Sequence, residues 1–268
     1  MNRTTLLLII LLALACVSLS GAAAETVSAG YSSGPGTPND PPPKEADAYI
    51  ANAQAAVEVR DWPVVLTITT RGLAWYPNDA DLLCLQGYSY RKMGQYQKSV
   101  DVISKGILLD PEPVRYANRG YGYLALKNRS AALADAESGI SADSGYTANH
   151  GIKALALLGM GKNTDALAAI ETAVNQSPDN AHYWHVKGRI LAASGDCAGA
   201  AAALEKSMDI DPDYSLPWPG FSSASEDLAV LDTTCTPASG LPSPTKSPLG
   251  WSAAAVSLGA VIALGMRK

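Results

Sequence analysis

Phenylalanine is nearly absent from this sequence: one stands among 268 residues, with three histidines and four cysteines. Aromatics make up 7% and charged residues 17%, and no run of Lys or Arg exceeds two. A core with so few large rings must be built from small side chains, which suits closely approaching helices better than extended sheet. The formal net charge of −5 and the lack of basic runs exclude a general nucleic-acid binder, which needs a concentrated basic patch for phosphates. No Gly-rich phosphate loop, H-E-x-x-H or G-x-S-x-G occurs, so no catalytic constellation is predicted. His182 and His185, three apart on a helix, lack the third protein ligand a metal site requires. No enzyme activity, metal or other cofactor is expected.

What is present begins at the two ends. Residues 1–24 carry Arg3, an unbroken apolar run from Leu6, and Ala22-Ala23-Ala24 before Glu25: the three-part layout of a secretory signal peptide. Reading Ala13-Leu14-Ala15-Cys16 as a lipoprotein box fails for want of Leu three residues before the Cys. Residues 249–266 are uncharged and are followed by Arg267 and Lys268. As a helix they reach about 27 Å, enough to cross a bilayer, and the terminal cations favour a cytoplasmic C-terminus. Pro/Gly/Ser-rich residues 25–45 and Pro/Ser/Thr-rich residues 233–248 read as extended spacers. Together these features predict a body on the extracytoplasmic side, held at the cell membrane by its C-terminal helix.

Between the spacers, five 30-residue windows align without gaps: 48–77, 82–111, 115–144, 149–178 and 183–212, their starts 34, 33, 34 and 34 residues apart. One small position in the first half holds Ala53, Gly87, Gly120, Ala154 and Gly188, and its counterpart in the second half Val65, Ser99, Ala132, Ala166 and Ala200. A third holds Gly72, Gly106, Gly139, Ala173 and Ser207. A terminating Pro recurs as Pro77, Pro111, Pro178 and Pro212, with Ser144 the exception; an aromatic recurs only as Tyr90 and Tyr123. Two antiparallel helices interlock closely only where facing side chains are small, and Leu83, Ile103, Tyr116, Ile170, Trp184 and Leu204 then fill the gaps between layers. Gly94, Gly161 and Gly195 fall at the turn inside a hairpin, and Asp61 is placed to N-cap the second helix of the first repeat with Pro63 in its first turn.

This pattern resembles the tetratricopeptide repeat family, over about residues 46–213. The resemblance implies an all-α, right-handed superhelical solenoid of about five helix–turn–helix hairpins (46–79, 80–112, 113–146, 147–180 and 181–213). Residues 214–232 are the expected cap, with Ser223-Ala-Ser-Glu226 as a capping box leading into a short helix over 227–231. Trp218 and Phe221 are expected to pack on the fifth hairpin. Outside the cell, Cys197 and Cys235 are expected to form a disulfide worth about 2–4 kcal/mol, leaving Cys84 as a shielded packing residue. Asn128-Arg-Ser130 and Asn175-Gln-Ser177 match the glycosylation sequon, the latter weakened by Pro178.

In the family the first helices line a concave groove that binds extended peptides or partner helices. By that resemblance the groove exposes Asp81, Cys84, Tyr88, Arg91, Asn118, Tyr121, Ile152, Leu155, His182, His185 and Arg189, where aromatic and Arg side chains provide anchoring energy. The family's carboxylate clamp is not carried over, because only Asn118 matches its residue types. The implied function is a membrane-anchored scaffold or adaptor with a protein or peptide ligand. The alternatives are a structural component of the cell envelope that self-associates and, third, a metal-binding or enzymatic protein using the histidines. The order of spacer, apolar span and terminal Arg-Lys is also similar to archaeal surface proteins, some of which exchange such tails for a lipid, so retention or processing of the span stays open.

Overall fold

The computed structural model describes residues 46–214 and 222–234. The expected signal peptide and first spacer, the second expected spacer from residue 235 on, the C-terminal apolar run, Trp218, Phe221 and Cys235 lie outside the described residues. Thr233 and Thr234, expected to open the second spacer, are helical instead. Ten of the described helices pair into five hairpins: α1 Asp47–Glu58 with α2 Trp62–Trp75, α3 Ala80–Lys92 with α4 Tyr96–Leu109, α5 Pro113–Ala125 with α6 Arg129–Ala142, α7 Thr147–Gly159 with α8 Asn163–Gln176, and α9 Ala181–Ala193 with α10 Cys197–Ile210. An eleventh, α11 Ala224–Thr234, packs on α10 and α9. Each first helix also meets the first helix of the next hairpin, so the hairpins stack in sequence order.

All fifteen residues at the three recurrent small positions are buried. Their size is what the packing requires. A Cβ at Gly87 would collide with Cγ1 of the fully buried Ile103, and one at Gly188 would come within 2.7 Å of Cγ of Leu204. The larger side chains then form a continuous series of apolar clusters, from Ala53, Val65 and Leu85 at one end to Leu191, Leu204 and Leu231 at the other. Each fully buried Leu or Ile contributes roughly 1.5–3 kcal/mol.

The helix ends follow the local sequence. Asp61, Asp79, Asn128, Asn180 and Asp196 N-cap α2, α3, α6, α9 and α10 through side-chain oxygens that accept backbone N–H bonds. The second helices stop at residues such as Asp110 and Asp211, held extended as the residue before proline must be. In the third hairpin, where Ser144 replaces proline, Asp143 is also extended, and its carboxylate accepts a 2.8 Å bond from the N–H of Gly145. Inside the hairpins, the chain turns through a left-handed residue whose successor bonds back to the carbonyl at the aromatic position, as from Gln95 to Tyr90 and Lys162 to Leu157. That residue is Gly94, Gly161 or Gly195 in three hairpins, but Arg60 and Lys127 in the other two, both at φ 59°. The capping box forms as anticipated, with Ser223 and Glu226 exchanging bonds, but the helix it starts is longer than the expected 227–231, beginning directly at Ala224 and continuing to Thr234.

Two outcomes test this packing. Gly87→Ala is expected to lower stability by about 1–3 kcal/mol through overpacking, outweighing the roughly 1 kcal/mol that Ala gains over Gly in a helix. Lys127→Gly is expected to raise stability by about 0.5–1 kcal/mol, as the left-handed cost of a side chain outweighs the entropy glycine adds to the unfolded chain. Chemical denaturation of the two variants reads both signs.

Candidate functional site on the face of the first helices

Side chains of α5 and α9, two repeats apart, touch: the Tyr121 and His182 ring centroids are 6.3 Å apart at an angle of 67°. Such a contact across the intervening α7 requires this to be the inner, concave face of the stack. Gly151 of α7 admits the neighbouring Tyr183 ring, which a Cβ there would meet at 2.8 Å.

Near the N-terminal end of this face, the Arg91 guanidinium lies 4.9 Å from the centroid of the Tyr88 ring and 5.2 Å from that of Tyr121, and donates a 3.1 Å bond to Oδ1 of Asn118. Asn118 itself is fixed by bonds from its amide to the Val114 carbonyl at 3.1 Å and the Cys84 sulfur at 3.8 Å. Trp62 meets Tyr88 edge-on, and Lys92 lies over both rings. Among the described residues no carboxylate lies within ion-pair distance of Arg91. Burial, moderated by Arg91, pushes the Tyr121 hydroxyl up to about 12, so it stays a neutral hydrogen-bonding group. The arrangement is a planar cation framed by aromatic faces, each cation–π contact contributing about 0.5–1 kcal/mol.

The C-terminal end of the face is closed. His182 Nδ1 is 2.7 Å from the Tyr214 hydroxyl, and its ring is flanked by Tyr121, Tyr183 and Tyr214. His185 is fully buried, and its Nε2 lies 2.8 Å from Oδ2 of Asp227 on α11. A carboxylate only accepts, so Nε2 carries the proton. Asp227 also accepts from Ser222 and lies 3.6 Å from Arg189. Burial would raise its carboxyl, but the bonds from His185 and Ser222 and the Arg189 charge hold it below its ordinary value. Ser222 bonds the carboxylate rather than the imidazole, so this is a docking relay for the cap and not an activated nucleophile.

Of the residues expected on the groove, Tyr88, Arg91, Tyr121, His182 and Arg189 keep partial exposure. Cys84, Asn118, Ile152 and Leu155 are buried instead, since adjacent helices close over them, and His185 is buried against Tyr214 and α11. Asp81 is engaged 2.6 Å from the fully buried Arg115. The sequence reading missed Trp62, Lys92, Tyr214 and Asp227: two sit at a hairpin turn and two beyond the last repeat, where periodicity has no register to offer. Among the described residues no cluster of His, Cys, Asp or Glu is arranged to hold a metal ion, and no helix is long and apolar enough to cross a membrane. Cys197 is disulfide-bonded and Cys84 is free and buried, while the expected partner Cys235 lies outside the described residues.

Burial, reinforced by His185, pushes His182 down to about 3. Below pH 6.5 an unfolded chain protonates this histidine and the folded one does not, so stability falls with pH by up to about 1.4 kcal/mol per unit. The window to read is pH 6.5 to 5, above the ordinary carboxylate range. The carboxyls of Asp81 and Asp135, which burial raises, act with the opposite sign and are common to wild type and variant, so the difference between the two isolates the histidine. Thermal unfolding across that window is expected to show a downward slope that His182→Gln flattens; an equal slope in the variant would contradict it.

Two tetratricopeptide-repeat family models match the chain, over residues 80–113 and 153–215. Among solved structures, it is similar to TTC0263, a thermophilic TPR protein of Thermus thermophilus (14% identity, TM-score 0.58, covering 70% of this chain and 98% of that one). It is also similar to MamA from Desulfovibrio magneticus (22%, TM-score 0.54, 63% and 97%). YrrB, described as a TPR protein with an unusual peptide-binding site, matches at 20% and TM-score 0.50, over 63% of this chain and 88% of that one. Mouse (Mus musculus) RNA polymerase II-associated protein 3 is 30% identical over 96 residues, 35% of this chain but only 14% of that protein's length. The structures share the fold, the family models share the residues, and on both grounds the chain carries tetratricopeptide repeats arranged as a helical solenoid.

Proposed function

We propose that this chain is an exported, membrane-anchored adaptor that binds an extended peptide or helical segment of a partner protein on its concave face. The observation that carries the binding assignment is Arg91, held between the rings of Tyr88 and Tyr121 and oriented by Asn118. Aromatic and Arg side chains are the usual anchors of protein recognition, and a cation with no carboxylate beside it among the described residues favours a ligand bearing an acidic side chain or a peptide carbonyl. The similarity to YrrB agrees with a peptide ligand, since that protein is described as having a peptide-binding site. Tetratricopeptide arrays are interaction modules by fold, whereas the identity of a ligand is set by the site.

The anchoring and the extracytoplasmic placement rest on the sequence: the signal-peptide layout of residues 1–24, the Pro/Ser/Thr-rich spacer 233–248 and the apolar run 249–266. In this reading the spacer links the array to the apolar run while the concave face gathers its partner. A disulfide between Cys197 and Cys235, beside the cap, would fit an oxidising compartment.

The test is capture of binding proteins from the envelope fraction by residues 25–236, with Tyr88→Ala/Arg91→Ala/Tyr121→Ala as the matched control. A partner retained by the wild type and lost by the folded triple variant is the expected result, with Arg91→Ala alone weakening binding by about tenfold, or roughly 1.4 kcal/mol. Equal capture by the variant would remove the groove assignment.

A further inference from the structure

The two long edges of the stack differ in chemistry. One carries the turns between repeats, which bear carboxylates such as Asp79, Asp110, Glu112, Asp143, Asp179 and Asp211 and no Lys or Arg. The other carries the turns inside the hairpins, and there an exposed apolar residue stands next to or within two positions of a cation in four consecutive repeats: Val59-Arg60, Lys92-Met93, Leu126-Lys127 and Met160-Gly161-Lys162. These apolar side chains are 75%, 38%, 39% and 41% exposed, each at the C-terminal cap of the first helix of its hairpin. None of the four cations is within ion-pair distance of a carboxylate among the described residues. In the first and third hairpins the cation occupies the left-handed position that glycine fills in the other three, a conformation a side chain adopts only at a cost.

From this row we infer that the hairpin-turn edge docks on an anionic lipid surface, its apolar tips entering the interface while the adjacent Lys and Arg meet headgroup phosphates. The pairing of apolar and cationic side chains in a line is what an interfacial membrane contact requires, the cations being drawn to the negative surface and the apolar tips leaving water. A second copy, offering its carboxylate-bearing edge, is the competing occupant. It fits less well, because the exposed apolar residues near that edge, Trp75, Leu108 and Leu109, occur only in the first two repeats, whereas the cationic row spans four. The inference does not rest on the C-terminal span, and a chain already anchored would be laid edge-on by it. It shares Lys92, which lies over Trp62 and Tyr88, with the concave face. Arg60, Lys127 and Lys162 take no part in that site, so the groove assignment can fail without removing the row.

The test is hydroxyl-radical footprinting of the full chain with vesicles of phosphatidylglycerol or of phosphatidylcholine at equal lipid. Expected is a several-fold fall in oxidation of Met93, Leu126 and Met160 with phosphatidylglycerol only. Trp75 and Leu108 should be unchanged, and the protection should be lost in Lys92→Glu/Lys127→Glu/Lys162→Glu. Raising the salt on the wild type should also release it, a reading that does not depend on how the variant folds. No protection, equal protection with phosphatidylcholine, or protection that survives both charge reversal and salt overturns the inference. Protection that appears without lipid, grows with protein concentration and extends to Trp75 and Leu108 also overturns it, in favour of a second copy.

Discussion

The close approach of paired helices at small side chains is the constraint on which this structure depends. Where Gly87 faces Ile103 and Gly188 faces Leu204 there is no room for a single methyl group. The chain therefore has to repeat Gly, Ala or Ser every 33 or 34 residues. The scarcity of large rings is the other side of the same requirement. Once the pairs interlock, the stack has an inner face of first helices and two edges of turns, and each becomes a separate chemical surface. In a one-dimensional array every hairpin depends on its neighbours, so the small positions support the whole stack and not only their own layer.

Polar contacts fix the order of the layers. Arg115 is fully buried between Asp81 of the preceding hairpin and Asp110 of the turn before it, both at 2.6 Å. Arg119 grips Asp135 within its own hairpin through both carboxylate oxygens. Asn149 fits against Gly139 and reaches the Pro113 carbonyl at 3.2 Å. Removing one partner of such a buried pair leaves a charge or amide without water, so a hairpin shifted by one repeat would bury unmatched groups. Apolar packing supplies most of the cohesion here, and these contacts specify which hairpin meets which.

The hairpins were legible from sequence because their signal is redundant: fifteen small positions, four prolines and three turn glycines recur in one register. Helix caps such as Asp61 and the Ser223–Glu226 box were legible because their chemistry is local. The candidate site was less so. Exposure on a curved face depends on how tightly neighbouring helices close. Asn118, Leu155 and His185 share the groove side yet are buried by the next layer. Tyr214 and Asp227, which complete the histidine end, follow the last repeat, where no period assigns them a facing side. The extension of α11 to Ala224–Thr234 likewise reflects packing on α10 and α9, which a local propensity reading does not contain.

In the proposed binding role, the cap limits where on the inner face a ligand can be held. At the C-terminal end, Asp227 of α11 takes up His185 and approaches Arg189, and Tyr214 takes up His182. The polar groups of repeat five are thereby engaged by the chain's own tail. Repeats two and three have no such cover among the described residues: Arg91 is shaped by Tyr88, Tyr121 and Asn118, with no carboxylate beside it. A partner gains most where a positioned cation meets its first counter-charge and least where an internal bond must first be broken. Under the proposed function, the polarity of the array therefore favours the N-terminal half of the groove for recognition and leaves the histidine end to stability.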